Sequence, residues 1–543
     1  MSRFGRALIV PALAVVAAAC TARSSEPPDL VPSAPGLGAF EEMACGLPSQ
    51  QLLRIWRGSF PGRSGNIQIV PNEPNYMSGG FSHSGPWEYL QRVPMLWYGP
   101  GYVPAASKVR RPVTMADVAP TIASYLGYDF KAADGTPMTE ALLSEGGRGK
   151  PPRLVLVVVW DGGGRNVLSE YPDAWPNLRR LIRRGAWYEN ATVGSSPSAT
   201  PPIHTTLGTG AFPRHHGLVD LKFKVGGKIV PSHEDGPKYL EIPSIADRYD
   251  RDMENEPKVA MVGFRAWHLG MIGQGSFLEG ADRDLAALME GPTAEWNLPA
   301  PNSRYFEFPA YVNDVPGLEQ AVRAMDLQDG QLDGAWLGEE VVGVPDLLKR
   351  TPAYTEWQTL ILEEIIRREQ FGSDDVPDLI FTNYKQIDEV GHRWTMNSPQ
   401  MEEVVKASDQ ALGDLVAILN RDVGKGRWVI AVTADHGVLP KPKLTGAFAI
   451  PNSELVGDIE ATFGGNVVKA IRPSQLWIDG RVLARKGYSL EQVAEYVAEY
   501  TKGQTVKDPS KLGPEDREER VFSAAFPSTA LKGLPCLPRG EAA

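Results

Sequence analysis

Residues 153–160 (RLVLVVVW) form a nearly unbroken apolar run rich in β-branched side chains. Such a run predicts a strand that is buried on both faces of a parallel sheet. It ends at Asp161, which is followed by three glycines. Because open α/β sheets bind ligands in the crevice at the carboxyl ends of their strands, the pattern puts Asp161 at a candidate functional position.

Apolar runs of strand length alternate with stretches of helical periodicity along the rest of the chain. Further strands are predicted at residues 66–70, 92–98, 258–264, 378–384 and 428–433. Helices are predicted at residues 115–126, 354–369, 401–419 and 490–500. This order predicts an α/β fold with a mostly parallel sheet flanked by helices.

Thr200 is followed by Pro201 and Pro202 and then by a stretch compatible with a helix. A hydroxyl residue followed by proline predicts a helix N-cap at Thr200. Unpaired N–H groups and the positive end of the helix dipole would face that hydroxyl, which suits a phosphoryl group. The alternative is a capped helix without a catalytic role.

The first residues have the pattern of an export signal. Arg3 and Arg6 precede an apolar run that ends in Ala-Ala-Ala-Cys20, so residues 1–20 are predicted to be a signal peptide. The end of the run resembles a bacterial lipobox, in which Cys20 is lipidated; the alternative is ordinary cleavage nearby. Residues 21–39 are predicted to be a flexible tether. We therefore expect an exported protein of the cell envelope, either secreted or held by a lipid anchor.

The composition limits the kinds of molecule that the protein is expected to bind. A formal net charge of −11 argues against binding to duplex nucleic acid.

The three cysteines are Cys20, Cys45 and Cys536. If processing consumes Cys20, the remaining pair is able to form a bridge in an oxidising compartment, and two free thiols are the alternative.

Three predicted strands bring ligand-type side chains to the same edge of the sheet. Asp161 follows the first, Asp388 and His392 follow the second, and Asp435 and His436 follow the third. Carboxylates and imidazoles are the ligands of catalytic zinc, and a two-metal site needs several of them. An Asp-Gly pair after one strand is ordinary turn chemistry. Three such groups together with a hydroxyl predict a metal site.

These motifs resemble those of the alkaline phosphatase superfamily, in particular its type I phosphodiesterase/nucleotide pyrophosphatase branch. The matching pieces are VVVWDGGG, TPPIHTTLGTGAFPRHHG, DEVGH and TADHG, in that order. The resemblance implies that fold and makes Thr200 the nucleophile. It also implies two divalent metal ions, most often zinc, although manganese shares these ligands. One ion would be held by Asp161, Thr200, Asp435 and His436, and the other by Asp388 and His392.

The family's second zinc has a further histidine after the DHG motif, but here no histidine follows His436. Residues 79–101, with His83, resemble the C-terminal segment of the family. The chain is therefore interpreted as a circular permutant in which His83 is the missing ligand. Residues 40–130 would be the displaced C-terminal part, 131–152 a linker, and 153–543 the main catalytic part with a cap insertion at about 280–350.

The resemblance implies hydrolysis of phosphate mono- or diesters through a phospho-threonine intermediate. Small molecules, lipids and nucleotides are the candidate substrates. The family's phosphate-binding asparagine is absent, because Asp220 and Leu221 stand in that stretch. Arg265 is expected to contact phosphate with His268 as a helper. The alternatives are an envelope phospho-group transferase and a non-catalytic protein that binds metal or phosphate.

Overall fold

The computed structural model describes residues 37–537 except residues 79, 144–148, 292, 294 and 507–508. The predicted signal peptide at 1–20 lies outside the described residues, as does most of the tether at 21–39. The last three tether residues belong to the helix Leu37–Cys45, so the tether is predicted too long at that end. None of the helices in the described part combines the length and apolarity that a bilayer crossing requires.

The main sheet has eight strands, and the predicted central strand lies in its middle. In spatial order they are Leu285–Leu288, Val259–Gly263, Asp378–Tyr384, Leu154–Trp160, Trp428–Thr433, Met95–Tyr98, Ala186–Tyr188 and Ser107–Val109. The first five run parallel, and Met95–Tyr98 is antiparallel to both of its neighbours. The predicted mostly parallel α/β sheet is confirmed.

Both faces of the central strand are buried, which explains its unbroken apolar sequence. Leu154, Leu156 and Val158 point into one apolar core, and Val155 and Val157 point into the other. This alternation is the two-residue period of a strand. Helices cover both faces of the sheet, so the ends of the strands are its accessible parts.

The longer helices of the described chain are Leu37–Cys45, Ser49–Arg57, Val118–Leu126, Thr200–Thr209, Ile245–Asp252, Leu318–Asp326, Pro352–Arg368, Gln386–Trp394, Pro399–Ile418, Asn452–Phe463 and Leu490–Ala498. The helices predicted at 115–126, 354–369, 401–419 and 490–500 are confirmed to within three residues at each end. The helix Val118–Leu126 shows how particular residues determine where a helix begins and ends. A capping box of Thr114 and Asp117 precedes it, and Gly127 ends it with a φ of 69°.

A second, smaller sheet is antiparallel and joins the two ends of the described chain. Its strands are, in order, Val468–Arg472, Gln475–Ile478, Ile67–Pro71 and Phe522–Pro527. Beside it, Cys45 and Cys536 form a disulfide with their Cα atoms 5.8 Å apart, a usual separation. The predicted bridge is confirmed.

Residues 280–350 contribute to the main structure. The strand Leu285–Leu288 is the edge of the main sheet, and Trp296, Trp336 and Val341 are buried in the apolar core on one face. The domain boundaries, including the cap at 280–350, stay predictions.

Replacing Cys45 and Cys536 by serine is expected to lower the urea midpoint of unfolding. The bridge closes a loop with a sequence separation of 491 residues, and chain entropy sets an upper limit of about 6 kcal/mol on the loss. The measurement is urea unfolding followed by tryptophan fluorescence under non-reducing conditions.

Reduced wild type is the matched control, because it lacks the bridge but keeps both side chains. Its midpoint should fall towards that of the double serine variant. Equal midpoints for oxidised wild type and the variant would contradict a stabilising role of the bridge.

Candidate active site

The polar residues after the three central strands meet at one edge of the main sheet. Asp161 follows Leu154–Trp160 directly, and Asp435 follows Trp428–Thr433 after one residue. Asp388 lies on the helix Gln386–Trp394, which follows Asp378–Tyr384. All three aspartates are buried. The prediction that these strands bring their carboxylates together is confirmed.

Gly162 makes the close approach of two of these segments possible. Its φ is +73°, and a Cβ atom added there would lie 3.0 Å from the Cα atom of Asp388. Its backbone N–H donates to Oδ1 of Asp435 over 3.0 Å. A side chain at this position would strain the backbone and separate the carboxylates.

His83, Asp388 and His392 form the first group of ligand-type atoms. Nε2 of His83 lies 3.2 Å from Nε2 of His392 and 3.2 Å from Oδ1 of Asp388. Nε2 of His392 is 3.4 Å from the same oxygen. A tetrahedral zinc with ligands at about 2.0–2.1 Å separates its donor atoms by about 3.3–3.4 Å. The spacing of this group fits a divalent metal ion.

Hydrogen bonds orient two of the histidines for this task. Nδ1 of His83 lies 3.1 Å from the carbonyl oxygen of Ser198, and Nδ1 of His436 lies 3.0 Å from that of Gly437. A carbonyl only accepts, so each Nδ1 carries a proton and Nε2 is the ring nitrogen left for a metal ion. This is the tautomer that a metal ligand with a backbone partner requires.

Asp161, Asp435 and His436 form the second group. Nε2 of His436 lies 3.2 Å from Oδ2 of Asp435 and 3.5 Å from Oδ1 of Asp161. The imidazole of His204 is an addition that the sequence analysis did not assign, with its Nε2 3.4 Å from Oδ2 of Asp435. The second group also has the residue types and spacing of a metal site.

Several atoms of the two groups are buried without a hydrogen-bond partner in the described chain. They are Oδ1 of Asp388, Oδ2 of Asp435 and Nε2 of His436. Unpartnered buried polar atoms cost free energy unless another species binds them. These atoms point into the two groups, so the donor set fits two divalent cations.

Thr200 begins the helix Thr200–Thr209, with Ala199 as its N-cap. The predicted N-cap is therefore wrong by one residue, because the threonine already has helical geometry. Its side chain is buried and its hydroxyl still lies at the first turn, where N–H groups are unpaired.

Lys385 lies at the centre of the site, and the sequence analysis missed it. Its Nζ is 2.8 Å from Oδ1 of Asp161, 2.8 Å from Oδ2 of Asp388 and 3.2 Å from Oγ1 of Thr200. It precedes Asp388 by three residues, so one helical turn puts both on the same face. That spacing is the signal that could have identified it.

The pKa values reflect the crowding of carboxylates. Burial raises the pKa of Asp161 well above its usual range, and the charge of Asp435 raises it further. Burial lowers the pKa of His83 to about 4, which keeps its ring neutral. Burial alone would lower the pKa of His436, but the carboxylates of Asp435 and Asp161 raise it to about 9. A metal ion would replace that proton.

A cavity of about 310 Å³ opens at Thr200 and contains one of the two predicted phosphate contacts. Arg265 lines it, with Nη2 3.9 Å from Glu389. His268 is not among the lining residues; it is fully buried, with Nδ1 3.0 Å from Nδ1 of His204. The substrate contact predicted for His268 therefore has no support in the structure.

Arg472 is a second arginine at this cavity, and it comes from the smaller sheet. The buried carboxylate of Asp220 accepts a hydrogen bond from its Nε over 3.1 Å. Asp220 stands in the stretch where the family's asparagine was expected, and here it positions a cation. Sequence distance gave no signal for this pair, because 252 residues separate the two.

The comparisons with known proteins agree with this geometry. Residues 155–524 match the family model described as type I phosphodiesterase/nucleotide pyrophosphatase. The alkaline phosphatase PafA of Elizabethkingia meningoseptica is 24% identical over 413 residues, covering 66% of this chain and 74% of that protein. The alkaline phosphatase PhoK of a Sphingomonas species is 24% identical over 417 residues, covering 67% of this chain and 73% of that protein.

Among solved structures, wild-type alkaline phosphatase PafA superposes with a TM-score of 0.54 at 18% sequence identity. The superposition covers 69% of this chain and 84% of PafA, which shows a common fold. The family model spans more than half of the chain and includes Asp161, Thr200, Asp388 and Asp435. The chain therefore belongs to the type I phosphodiesterase/nucleotide pyrophosphatase family of the alkaline phosphatase superfamily, and it is a phosphoric ester hydrolase.

Proposed function

We propose that this protein is an exported, metal-dependent phosphohydrolase that cleaves phosphate mono- or diesters through a phospho-threonine intermediate. The observation that carries the proposal is the position of Thr200. Its hydroxyl lies at a helix N-terminus and contacts Lys385, which in turn contacts one carboxylate from each ligand group. A nucleophile needs this combination of a free hydroxyl and nearby positive charge.

Each ligand group would hold one divalent cation, and zinc suits the mixture of imidazole and carboxylate. Bound there, the two cations would supply Lewis acidity to the reacting oxygens and activate water. One cation would be held by Asp161, Thr200, Asp435 and His436. The other would be held by His83, Asp388 and His392, which completes the set that the resemblance left one histidine short.

The reaction at Thr200 has two displacements. In the first, the Thr200 hydroxyl loses its proton to solvent and a bond forms between Oγ1 and phosphorus. The ester P–O bond breaks, and its electron pair leaves with the alcohol oxygen, which takes a proton from solvent. In the second, a water oxygen binds phosphorus and loses a proton, the bond to Oγ1 breaks, and Oγ1 takes up a proton to restore the hydroxyl. The N–H groups of the first helical turn and the side chains of Arg265 and Arg472 would hold the non-reacting oxygens.

Lys385 acts on the same oxygen in both displacements. An ammonium group only donates, so Oγ1 of Thr200 accepts from Nζ. The positive charge stabilises the alkoxide form before attack and the charge that returns to Oγ1 when the phosphoryl group leaves. Lys385 is therefore proposed as a catalytic residue.

Export is proposed from the signal-like residues 1–20 and is supported by the bridge between Cys45 and Cys536. Structural disulfides persist in oxidising compartments such as the bacterial periplasm. A lipid at Cys20 would be the protein's contact with the membrane.

Turnover of an aryl phosphate monoester and diester by metal-loaded and metal-stripped protein tests the proposed activity. Equal rates for the two preparations would contradict it.

Thr200→Ala is expected to abolish the phosphoenzyme and to lower turnover by at least about 10³-fold, since it deletes the nucleophile. The measurement combines steady-state turnover with mass spectrometry of acid-quenched protein, in which wild type should carry phosphate on the peptide that contains Thr200.

Thr205→Ala is the matched control on the same helix. The hydroxyl of Thr205 donates to the carbonyl of Pro201 and lies 3.2 Å from Nε2 of the buried His233, so its loss should cost about 1–3 kcal/mol of stability and leave turnover near that of wild type. Near-normal turnover of Thr200→Ala would instead favour Ser195 or Ser196, whose hydroxyls are buried and unpartnered in the described chain.

His83→Ala is expected to remove about one equivalent of metal and nearly all activity, because it leaves Asp388 and His392 as the only protein ligands of that group. Elemental analysis after dialysis measures the loss. His215→Ala is the control, since His215 is partly exposed and pairs with Asp134 outside the site. Equal metal content in both variants would show that His83 is not a ligand.

Lys385→Met is expected to lower turnover by about 10²–10³-fold, the range for the loss of one preorganised donor to a charged oxygen. Because Oγ1 is the leaving group of the second displacement, phosphoenzyme should accumulate relative to wild type at the same substrate concentration. Rapid acid quenching measures this fraction, and elemental analysis verifies that metal is retained.

Lys349→Met is the matched control, because Lys349 is also buried but donates to the carbonyl of Gly291. It should leave the phosphoenzyme fraction unchanged. If Lys385→Met lost metal without accumulating phosphoenzyme, the lysine would have a structural role only.

A further inference from the structure

Three aspartates converge at the opposite edge of the main sheet from the catalytic residues. Asp250 lies in the last turn of the helix Ile245–Asp252, and Asp282 and Asp284 precede the strand Leu285–Leu288. One oxygen of each carboxylate lies within 4.8 Å of the others. No motif in the sequence marks any of the three.

The location separates this group, here called the Asp250 cluster, from the catalytic site. The strand Leu285–Leu288 runs parallel to Val259–Gly263 and through it to the central strands. Asp284 therefore lies at the amino end of the strands, whereas Asp161 and Asp435 follow their carboxyl ends. The two sites are a strand length apart, so the cluster has no part in the reaction at Thr200.

Two of the three carboxylates are buried without compensation. Asp250 is 2% exposed and Asp284 is 6% exposed. Oδ1 of Asp250 has no hydrogen-bond partner in the described chain. The neighbouring Asp247 shows the contrast, because its buried carboxylate accepts from the backbone N–H groups of Ser244, Gln274 and Gly275. No such donor of the described chain reaches the buried carboxylates of Asp250 and Asp284, and the cluster therefore needs another source of positive charge.

Arginines on the same segments are engaged elsewhere. Arg251 pairs with Asp252, and Arg283 pairs with Glu307. Burial, together with the negative charges of Asp282 and Asp247, raises the pKa of Asp250 to about 7. The groups that shift the pKa values of the three carboxylates most strongly include no cation of the described chain, so this repulsion is not offset. Buried like charges at this spacing are unfavourable unless an ion lies between them.

We propose that the Asp250 cluster binds a calcium ion that joins the end of the helix Ile245–Asp252 to the edge strand of the main sheet. The ligand atoms are all carboxylate oxygens, which hard cations prefer, and imidazole or thiolate is absent from the cluster. Calcium tolerates irregular coordination and completes its shell with water. The exposed side of Asp282 leaves room for that water. Magnesium keeps several of its water ligands and is usually bound by one or two carboxylates, whereas this cluster offers three.

The test is thermal unfolding of the holoenzyme, with the catalytic metal in slight excess, in calcium-free buffer and in about 1 mM calcium chloride, a level at which extracellular calcium modules bind. Wild type should unfold at least about 2 °C higher with calcium. Equilibrium dialysis should find one calcium ion per chain. The same concentration of magnesium should give a smaller rise.

Asp284→Asn keeps the size of the side chain and removes one of the repelling charges. It should abolish the calcium response and, in calcium-free buffer, unfold above wild type. Turnover of an aryl phosphate should be unchanged, because the cluster lies far from Thr200. If Asp284 had only a structural role, calcium would not change which of the two proteins, wild type or Asp284→Asn, unfolds at the higher temperature.

Glu254→Gln is the matched control, because Glu254 is an exposed acid near the same helix end and outside the cluster. It should respond to calcium as wild type does. The proposal is overturned by an unchanged wild-type midpoint, by an equal calcium response in Asp284→Asn, or by an equal or larger response to magnesium.

Discussion

Three buried carboxylates lie side by side at the carboxyl ends of the central strands, and the rest of the site depends on this arrangement. Removing an ionised carboxylate from water costs several kcal/mol even after relaxation of the protein, and like charges at close range add to that cost. Within the described chain, the ammonium group of Lys385 contacts the carboxylates of Asp161 and Asp388 and offsets part of their charge. The remaining negative charge attracts cations. The proposed affinity for metal would thus arise from a cluster that the two apolar cores hold in place.

The backbone around the carboxylates limits how they can relax. Gly162 lies against Asp388 and donates its N–H to Asp435, so the three segments are tied to one another. Carbonyl groups orient His83 and His436 so that each presents a free Nε2. Ser198 takes part in this, because its hydroxyl donates to the carbonyl of His83 while its own carbonyl accepts from the ring. Ordering these groups in advance lowers the cost of binding a cation.

The sequence predicted the elements that are buried on both faces better than the features that depend on tertiary contacts. Residues 378–384 and 428–433 were predicted to the residue, because both strands are buried along their whole length and are mostly apolar or β-branched. Lys385 was missed although its spacing to Asp388 was visible, because a lysine among metal ligands is unexpected. Arg472 could not be predicted, since the smaller sheet that carries it reaches the cavity only through folding.

Residues 40–130 show that the site depends on where a residue lies at the sheet edge more than on its place in the order of the chain. This segment supplies the strand Met95–Tyr98, which pairs with Trp428–Thr433, and it carries His83 to within 3.2 Å of His392. The family model begins at residue 155, after this segment, which agrees with the interpretation of a circular permutant that stays a prediction. A metal site needs donor atoms at fixed distances and places no condition on the order in which the chain visits them. The bridge between Cys45 and Cys536 then joins the two ends of the described chain beside the smaller sheet, so that the strand Ile67–Pro71 is held next to Phe522–Pro527.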